Sequence, residues 1–289
     1  MRAKNSLLTL LVGVCLLESC AYITERPREA ATPITPGGTI RRSYIGPVAG
    51  VNRSLHSGGF SSRFSEASCP NFNTGTDNGY YLGLSGEYLL GDDKNSNSSI
   101  IARVLYDYQP AYFTMPGDDY PSRLPNGSTI RTAVQHTTKA QYRLFQFEAM
   151  YKLNVPGTFL GITAGPQFGI PISTEQDQRY ELVFDPNNPG INFLDADLAK
   201  IVPHEHWTEG FQPRFTDGTR TAIQLYDGPI IHASNFRAAV KLGLQYELLL
   251  GRAVLVPCAY YNIGITRVNP DDAWRVNAMQ FGADLRYAF

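Results

Sequence analysis

From residue 44 to Phe289 apolar side chains recur at every second position, in runs of about ten residues separated by polar or glycine-rich stretches. The clearest run is 236–250, where Phe236, Ala238, Val240, Leu242, Leu244, Tyr246, Leu248 and Leu250 alternate with Arg237, Ala239, Lys241, Gly243, Gln245, Glu247 and Leu249. A helix returns to one face every three to four residues, so a spacing of two predicts a strand with one apolar and one polar face. At the end of the chain Met279, Phe281, Ala283, Leu285, Tyr287 and Phe289 stand against Gln280, Gly282, Asp284 and Arg286. Segments 255–266, 159–172, 142–153, 100–109, 80–90 and, less regularly, 44–56 follow the same rule, which predicts eight strands. Pro47, Pro166 and Pro257 fall inside these strands and each removes a ladder donor, so local bulges are expected there.

The connections are unequal. Segments 57–79, 110–141, 173–235 and 267–275 each exceed their neighbours 91–99, 154–158 and 251–252, so long connections gather at one end of the predicted sheet and tight turns at the other. Within 173–235, Tyr180–Phe184 and Thr221–Tyr226 read as strand, 192–202 as a short helix, and Asp217-Gly218 and Asp227-Gly228 as turn tips. Aromatics on the apolar face form two sets, Tyr88, Tyr151, Tyr246 and Tyr287 near the short turns and Tyr80, Tyr108, Phe168 and Phe236 near the long connections.

Charge sorts by face. The polar face carries Arg103, Lys152, Arg237, Lys241 and Arg286 against Glu87, Asp107, Glu148, Glu247 and Asp284, five of each sign. Equal numbers predict a pairing network, because unpaired charges in a narrow interior would be costly. Only Arg53 and Arg143 lie on the apolar face, both toward the long connections. Alternation by itself fits a soluble lipocalin-like barrel, greasy inside, as well as a membrane barrel, greasy outside. Unequal connections, paired aromatic sets and the glycines at 161, 165, 169, 243, 264 and 282 on the polar face favour the second.

Composition adds limits. Lys+Arg 25 against Asp+Glu 26 gives a net charge of −1 over 289 residues, so no basic field recruits a nucleic-acid partner. Mean hydropathy is −0.21, and only the N-terminus holds a sustained apolar run, which excludes membrane-spanning helices. Arg2 and Lys4 precede the apolar stretch Ser6–Leu17, the charged start and short core of a signal peptide spanning 1–20. Leu17-Glu18-Ser19-Cys20 resembles a bacterial lipobox, which would make Cys20 a lipidation site; Ser19-Cys20-Ala21 reads equally as an ordinary cleavage site. Residues 21–43, rich in Pro and Gly, read as a flexible periplasmic tether. Cys69 and Cys258 remain, one in a loop and one in a strand, a placement that predicts free thiols over a pair.

Phe289, with Tyr287 and Leu285 in phase, resembles the C-terminal signal that barrel-assembly machinery reads in outer-membrane barrels. With the export segment, eight strands and unequal connections, residues 44–289 are similar to the small outer-membrane β-barrel family of OmpX, the OmpA transmembrane domain and the PorT-like barrels. The resemblance implies an all-β fold, a closed eight-stranded antiparallel up-and-down transmembrane barrel with both termini periplasmic. It also implies a monomer partnered by outer-membrane lipid, without cofactor or catalytic motif. Long loops would then serve adhesion, defence or envelope stability, with 173–235 reaching an extracellular partner; a narrow channel or small-ligand barrel is the alternative.

Two further clusters are candidates for chemistry. His204-Glu205-His206 is of metal-ligand type, since histidines two apart in an extended loop can converge on one ion. His232-Ala233-Ser234-Asn235 resembles the H-x-S-N stretch of lipid A deacylases, which would make His232 and Ser234 catalytic; the next carboxylate in sequence, Glu247, sits at the opposite end of its strand. His56 and His136 read as isolated loop or rim residues.

Overall fold

The computed structural model describes residues 42–61, 71–90, 97–156, 158–207, 209–216, 218–250 and 253–289. The signal segment with Cys20, the tether up to residue 41, and Cys69 lie outside the described residues. Among the described residues one antiparallel sheet has thirteen strands: β1 Ser43–Ser61, β2 Asn71–Leu90, β3 Ser98–Tyr108, β4 Ala111–Arg123, β5 Thr129–Asn154, β6 Leu160–Leu182, β7 Asn192–Phe193, β8 Arg214–Phe215, β9 Ala222–Pro229, β10 Arg237–Tyr246, β11 Leu248–Leu250, β12 Ala253–Gly264 and β13 Arg275–Ala288. Successive pairings run β1–β2–β3–β5–β6–β10–β12–β13, and β13 pairs with β1, Val51 facing Phe281 and Ala49 facing Ala283.

The sheet holds five strands beyond the eight of this path, for a physical reason. The ladder needs only backbone donors and acceptors, and it continues where the apolar alternation that marks a strand in sequence has stopped. Thus the stretch read as connection 110–141 is a β4–β5 hairpin, and much of 173–235 is strand: β6 reaches Leu182 and pairs with β9. Asp227-Gly228 lies inside β9 instead of at a turn, and only Leu198–Ile201 of the expected helix forms, capped by the Asp197 carboxylate at 3.1 Å from the Ala199 N–H.

β5 and β6 stay paired from Asn154↔Gly161 to Val134↔Leu182. Their outer neighbours change on the way: β5 exchanges β3 for β4 above Arg143, and β6 exchanges β10 for β9 above Gly169. The wall therefore forks into a lobe built from β4 to β9. That lobe has its own core of Val134, Leu182, Ile191, Phe193, Ile201, Val202, Ile223 and Leu225, with Tyr120, Tyr180, Trp207 and Phe215 packed against it.

The prolines do not make bulges. Register is unshifted across each: Ile45↔Tyr287 and Val48↔Asp284 flank Pro47, Glu148↔Gln167 and Tyr151↔Ala164 flank Pro166, and Gln245↔Cys258 and Leu248↔Leu255 flank Pro257 on the β10–β11 side. The ladder simply lapses where the N–H is missing. At Gly46 the neighbouring strand comes so close that a Cβ would lie 1.7 Å from the Leu285 carbonyl oxygen, so glycine is required there.

Burial is inverted relative to a soluble barrel. Val51, Leu84, Tyr88, Phe147, Ile162, Phe168, Leu242, Phe281 and Leu285 are all exposed, at 43–59%, while Arg103, Lys152, Lys241, Asp284 and Arg286 are at most 2% exposed. The greasy face points outward and the charged face inward.

Candidate functional site

The ten charged residues of the polar face are brought into one interior network. Asp284 on β13 accepts from Arg103 on β3 at 2.8 and 3.0 Å, from Arg286 Nε at 3.1 Å and from the Ser85 hydroxyl at 2.8 Å. Arg286 also donates to Glu87, which takes Lys152 at 3.0 Å, and Lys152 donates in turn to Glu247. One level further from the short turns, Lys241 donates to Glu148 and, at 2.7 Å, to Gln280; Gln167 donates to Glu148 at 2.9 Å. Above these, Asp107 accepts from Asn52, Gln109 and Gln280 at 2.7–2.9 Å, and Arg237 joins through the Gln109 carbonyl at 2.7 Å. Tyr260 lies beneath both the Arg103 guanidinium and the Lys241 ammonium, 4.7 and 4.8 Å from its ring centre.

The ring ladder explains why these side chains meet. Residues two apart along a strand share a face, which sets Gln109 beside Asp107 and Arg286 beside Asp284, and register across strands sets Arg103 opposite Glu148. Charge-assisted bonds between desolvated partners are the strong kind, and they hold the interior rigid.

Apolar layers close this network at both ends. Toward the short turns Tyr44, Leu89, Val254, Val256 and Ala288 pack together. Toward the lobe, Phe72, Phe113, Tyr142, Leu144, Ile230, Val268, Trp274 and Val276 form a larger cluster. His56 belongs to this upper layer and not to a loop: it is 2% exposed, and its Nδ1 accepts from the Trp274 indole N–H at 3.1 Å. Most of the upper layer comes from segments that the sequence pattern leaves as connections, so no alternation announced it.

The remaining candidates lie on the lobe side. His232, at φ 52°, places Nδ1 2.6 Å from a carboxylate oxygen of Asp271, and both side chains are mostly exposed. Asp271 is therefore the carboxylate beside His232, whereas Glu247 is held by Lys152 at the far end. Ser234 lies two residues on, its N–H bonded to the Val268 carbonyl at 2.7 Å. His204-Glu205-His206 is a 3-10 turn and not an extended loop. The His204 ring centre lies 4.0 Å from that of Trp207. No group of three metal-ligating side chains occurs among the described residues. In the lobe His136 is packed 4.8 Å from Tyr180, and burial holds its imidazole below the usual range, with Asp118 opposing. Cys258 is buried and free, 3.8 Å from the Tyr81 hydroxyl. Phe289 and Tyr287 stand on the outward face, 66% and 47% exposed, and the Phe289 N–H reaches the Ser43 carbonyl at 3.2 Å.

No protein-family model matches the chain, and no curated protein matches it. Among solved structures it is similar to Neisserial surface protein A, at 12% identity over 86% of this chain and 97% of that one, TM-score 0.29. It is also similar to the outer membrane protein OprG from Pseudomonas aeruginosa, at 12% identity over 87% and 98%, TM-score 0.33. A third is the outer membrane protease OmpT from Escherichia coli, at 8% identity over 88% and 99%, TM-score 0.30.

Proposed function

We propose that the chain is a Gram-negative outer-membrane protein: a closed eight-stranded transmembrane barrel, non-enzymatic and monomeric, whose lobe above the membrane contacts an extracellular partner. The supporting observation is the inverted burial. A soluble protein would not leave Leu84, Phe147, Ile162, Leu242 and Phe281 exposed in one continuous band while burying five cations and five carboxylates. The band has the aromatic margins that suit headgroup regions, with Tyr88, Tyr151 and Tyr287 at one edge and Tyr80, Phe168 and Phe236 at the other. In this reading the short turns and both termini face the periplasm. The filled interior, apolar at either end, favours display by the lobe over passage through the wall, and planar-bilayer recordings are expected to show no conductance steps.

The deciding experiment has two parts. Detergent-solubilised protein should migrate faster unboiled than boiled, and trypsin applied to intact cells should cut within 173–235. An unchanged mobility returns the chain to a soluble class, and cleavage confined to 21–43 reverses the topology.

A point substitution checks the lipid contact directly. Leu242, 44% exposed between the aromatic margins, should tolerate arginine badly, losing about 2–4 kcal/mol in bilayer-folding titrations. Ile265, at the lobe-side margin, should lose only about 0–1 kcal/mol for the same change. Equal losses at both positions would speak against a membrane midplane.

A second reading, hydrolysis of a lipid ester, is favoured by one geometry, the 2.6 Å His232–Asp271 contact. Acyl release from lipid A by purified protein, abolished by His232→Ala or Asp271→Ala, would promote it above the display reading.

A further inference from the structure

We infer that the outward surface where β13, β1 and β2 adjoin, above the apolar band, binds the phosphorylated headgroup of an outer-leaflet lipid through Arg53 and Arg275. This rests on the membrane topology proposed above. Outward cations on the wall strands just above the band occur on two sectors, and the two differ in what neutralises them. On the β5–β6 sector Arg143 already has partners: Glu175 at 3.7 Å, the Ser173 hydroxyl at 3.2 Å and the Gln141 carbonyl. Lys139 stands over the Tyr112 ring at 6.0 Å and faces Asp177 in register. That sector is balanced.

The β13–β1–β2 sector is not. Arg53 faces Met279 on one side and Asn78 on the other, one step above Val51 and Tyr80 of the apolar band. Among the described residues its guanidinium bonds only the Thr76 hydroxyl, at 3.3 Å. Arg275 faces Ser57, is exposed, and makes no hydrogen bond or ion pair among the described residues. Four rungs separate the two arginines, about 13 Å along the strands, a span that two side chains of this length can close from either side of one headgroup. Between and beside them are Ser57, Thr76, Asn78 and Asn277, donors without negative charge. The Asn277 carbonyl oxygen is taken by the Gly264 N–H at 2.9 Å, which leaves its amide N–H groups to donate.

Nearby carboxylates are committed elsewhere. Asp77 is exposed, pairs in register with Ser54 and accepts from the backbone N–H of Asn78, and it makes no ion pair with Arg53 or Arg275 among the described residues. Asp271 is held by His232, and Asp272 accepts from Asn269 at 3.0 Å. Two unpaired guanidiniums with hydroxyl and amide donors, at the height where lipid phosphates lie, are complementary to a phosphorylated headgroup. The surface spans the junction of the first and last strands, so a bound lipid would bridge the seam where the ring closes.

The test uses full-length protein in maltoside detergent, with diphosphoryl lipid A as the probe and native mass spectrometry as the readout. Retention should fall about tenfold in Arg53→Ala/Arg275→Ala, the loss of two charge-assisted contacts at a solvated margin. Arg53→Lys/Arg275→Lys should keep most of the binding, and Arg143→Ala should match the unaltered protein. Equal retention by the double alanine variant, or equal retention of the dephosphorylated lipid, overturns the inference. Displacement by equimolar inorganic phosphate would replace it with a free-anion site. Heat-dependent gel mobility of each variant separates the outcomes: a folded band with unchanged lipid retention removes only this site, whereas loss of the band in the unaltered protein removes the barrel reading itself.

Discussion

Asp284→Ala is expected to destabilise the folded chain by about 3–5 kcal/mol, the cost of leaving buried opposite charge unmatched. Asp284 is fully buried and accepts simultaneously from Arg103, Arg286 and Ser85. Removing it leaves two guanidiniums facing each other in a desolvated space with one anion fewer between them, since Glu87 serves Arg286 and Glu148 lies 3.9 Å from Arg103. Heat-dependent gel mobility or urea titration in detergent measures the loss. Adding Arg103→Met to Asp284→Ala should restore part of it, with a coupling of about 0.5–3 kcal/mol between the two sites. A loss below about 1 kcal/mol would mean that water reaches the network and screens it, and the sealed interior would have to be abandoned.

Trp274→Ala is the second large effect, also expected near 3–5 kcal/mol, by cavity formation in the upper apolar layer. Trp274 is 1% exposed and packs edge-on to Phe113 at 5.7 Å and obliquely on His56 at 5.8 Å. Its indole also satisfies the His56 Nδ1. Trp274→Phe separates the two contributions: most of the volume stays, while the buried imidazole nitrogen loses its donor, at about 1–3 kcal/mol. Neither variant should conduct ions, because the charge network and the lower layer of Tyr44, Leu89 and Val256 lie beneath. Current steps in Trp274→Ala would show that this layer is the barrier to passage.

Those two residues mark the limits of what sequence periodicity carries. Asp284 could be placed from the chain alone, because it alternates with Phe281, Ala283 and Leu285 and its charge is unaffordable on their face. Trp274 could not: it stands in a segment without alternation, and Phe113, against which it packs, comes from a connection distant in sequence. The lobe was hidden for a related reason. Thr129–Gln141 mixes Ile130, Val134 and Ala140 with Thr132, His136 and Thr138 on one face and is almost wholly polar on the other, so its strand is marked by backbone pairing to β4 and β6 and not by a clean contrast between faces. His232 was visible as a candidate, but Asp271, 39 residues away, meets it only through the fold. The prolines misled in the other direction: a missing donor predicts an inserted residue, yet the wall tolerates an unmade bond without changing register.

The uninterrupted course of β5 and β6 has a mechanical meaning. At about 3.3 Å per residue the 26 residues of β5 extend some 85 Å, and in the proposed topology they cross the lipid and continue into the lobe as one member. β5 and β6 stay paired from Val134 to Asn154 of β5, and below the lobe β5 is also bonded to β3 and β6 to β10, so a pull on the lobe loads those flanking ladders in shear and does not peel them one bond at a time. In the proposed topology the lobe is thus a stiff mast stepped in the envelope, able to hold whatever it grips at a fixed height and angle.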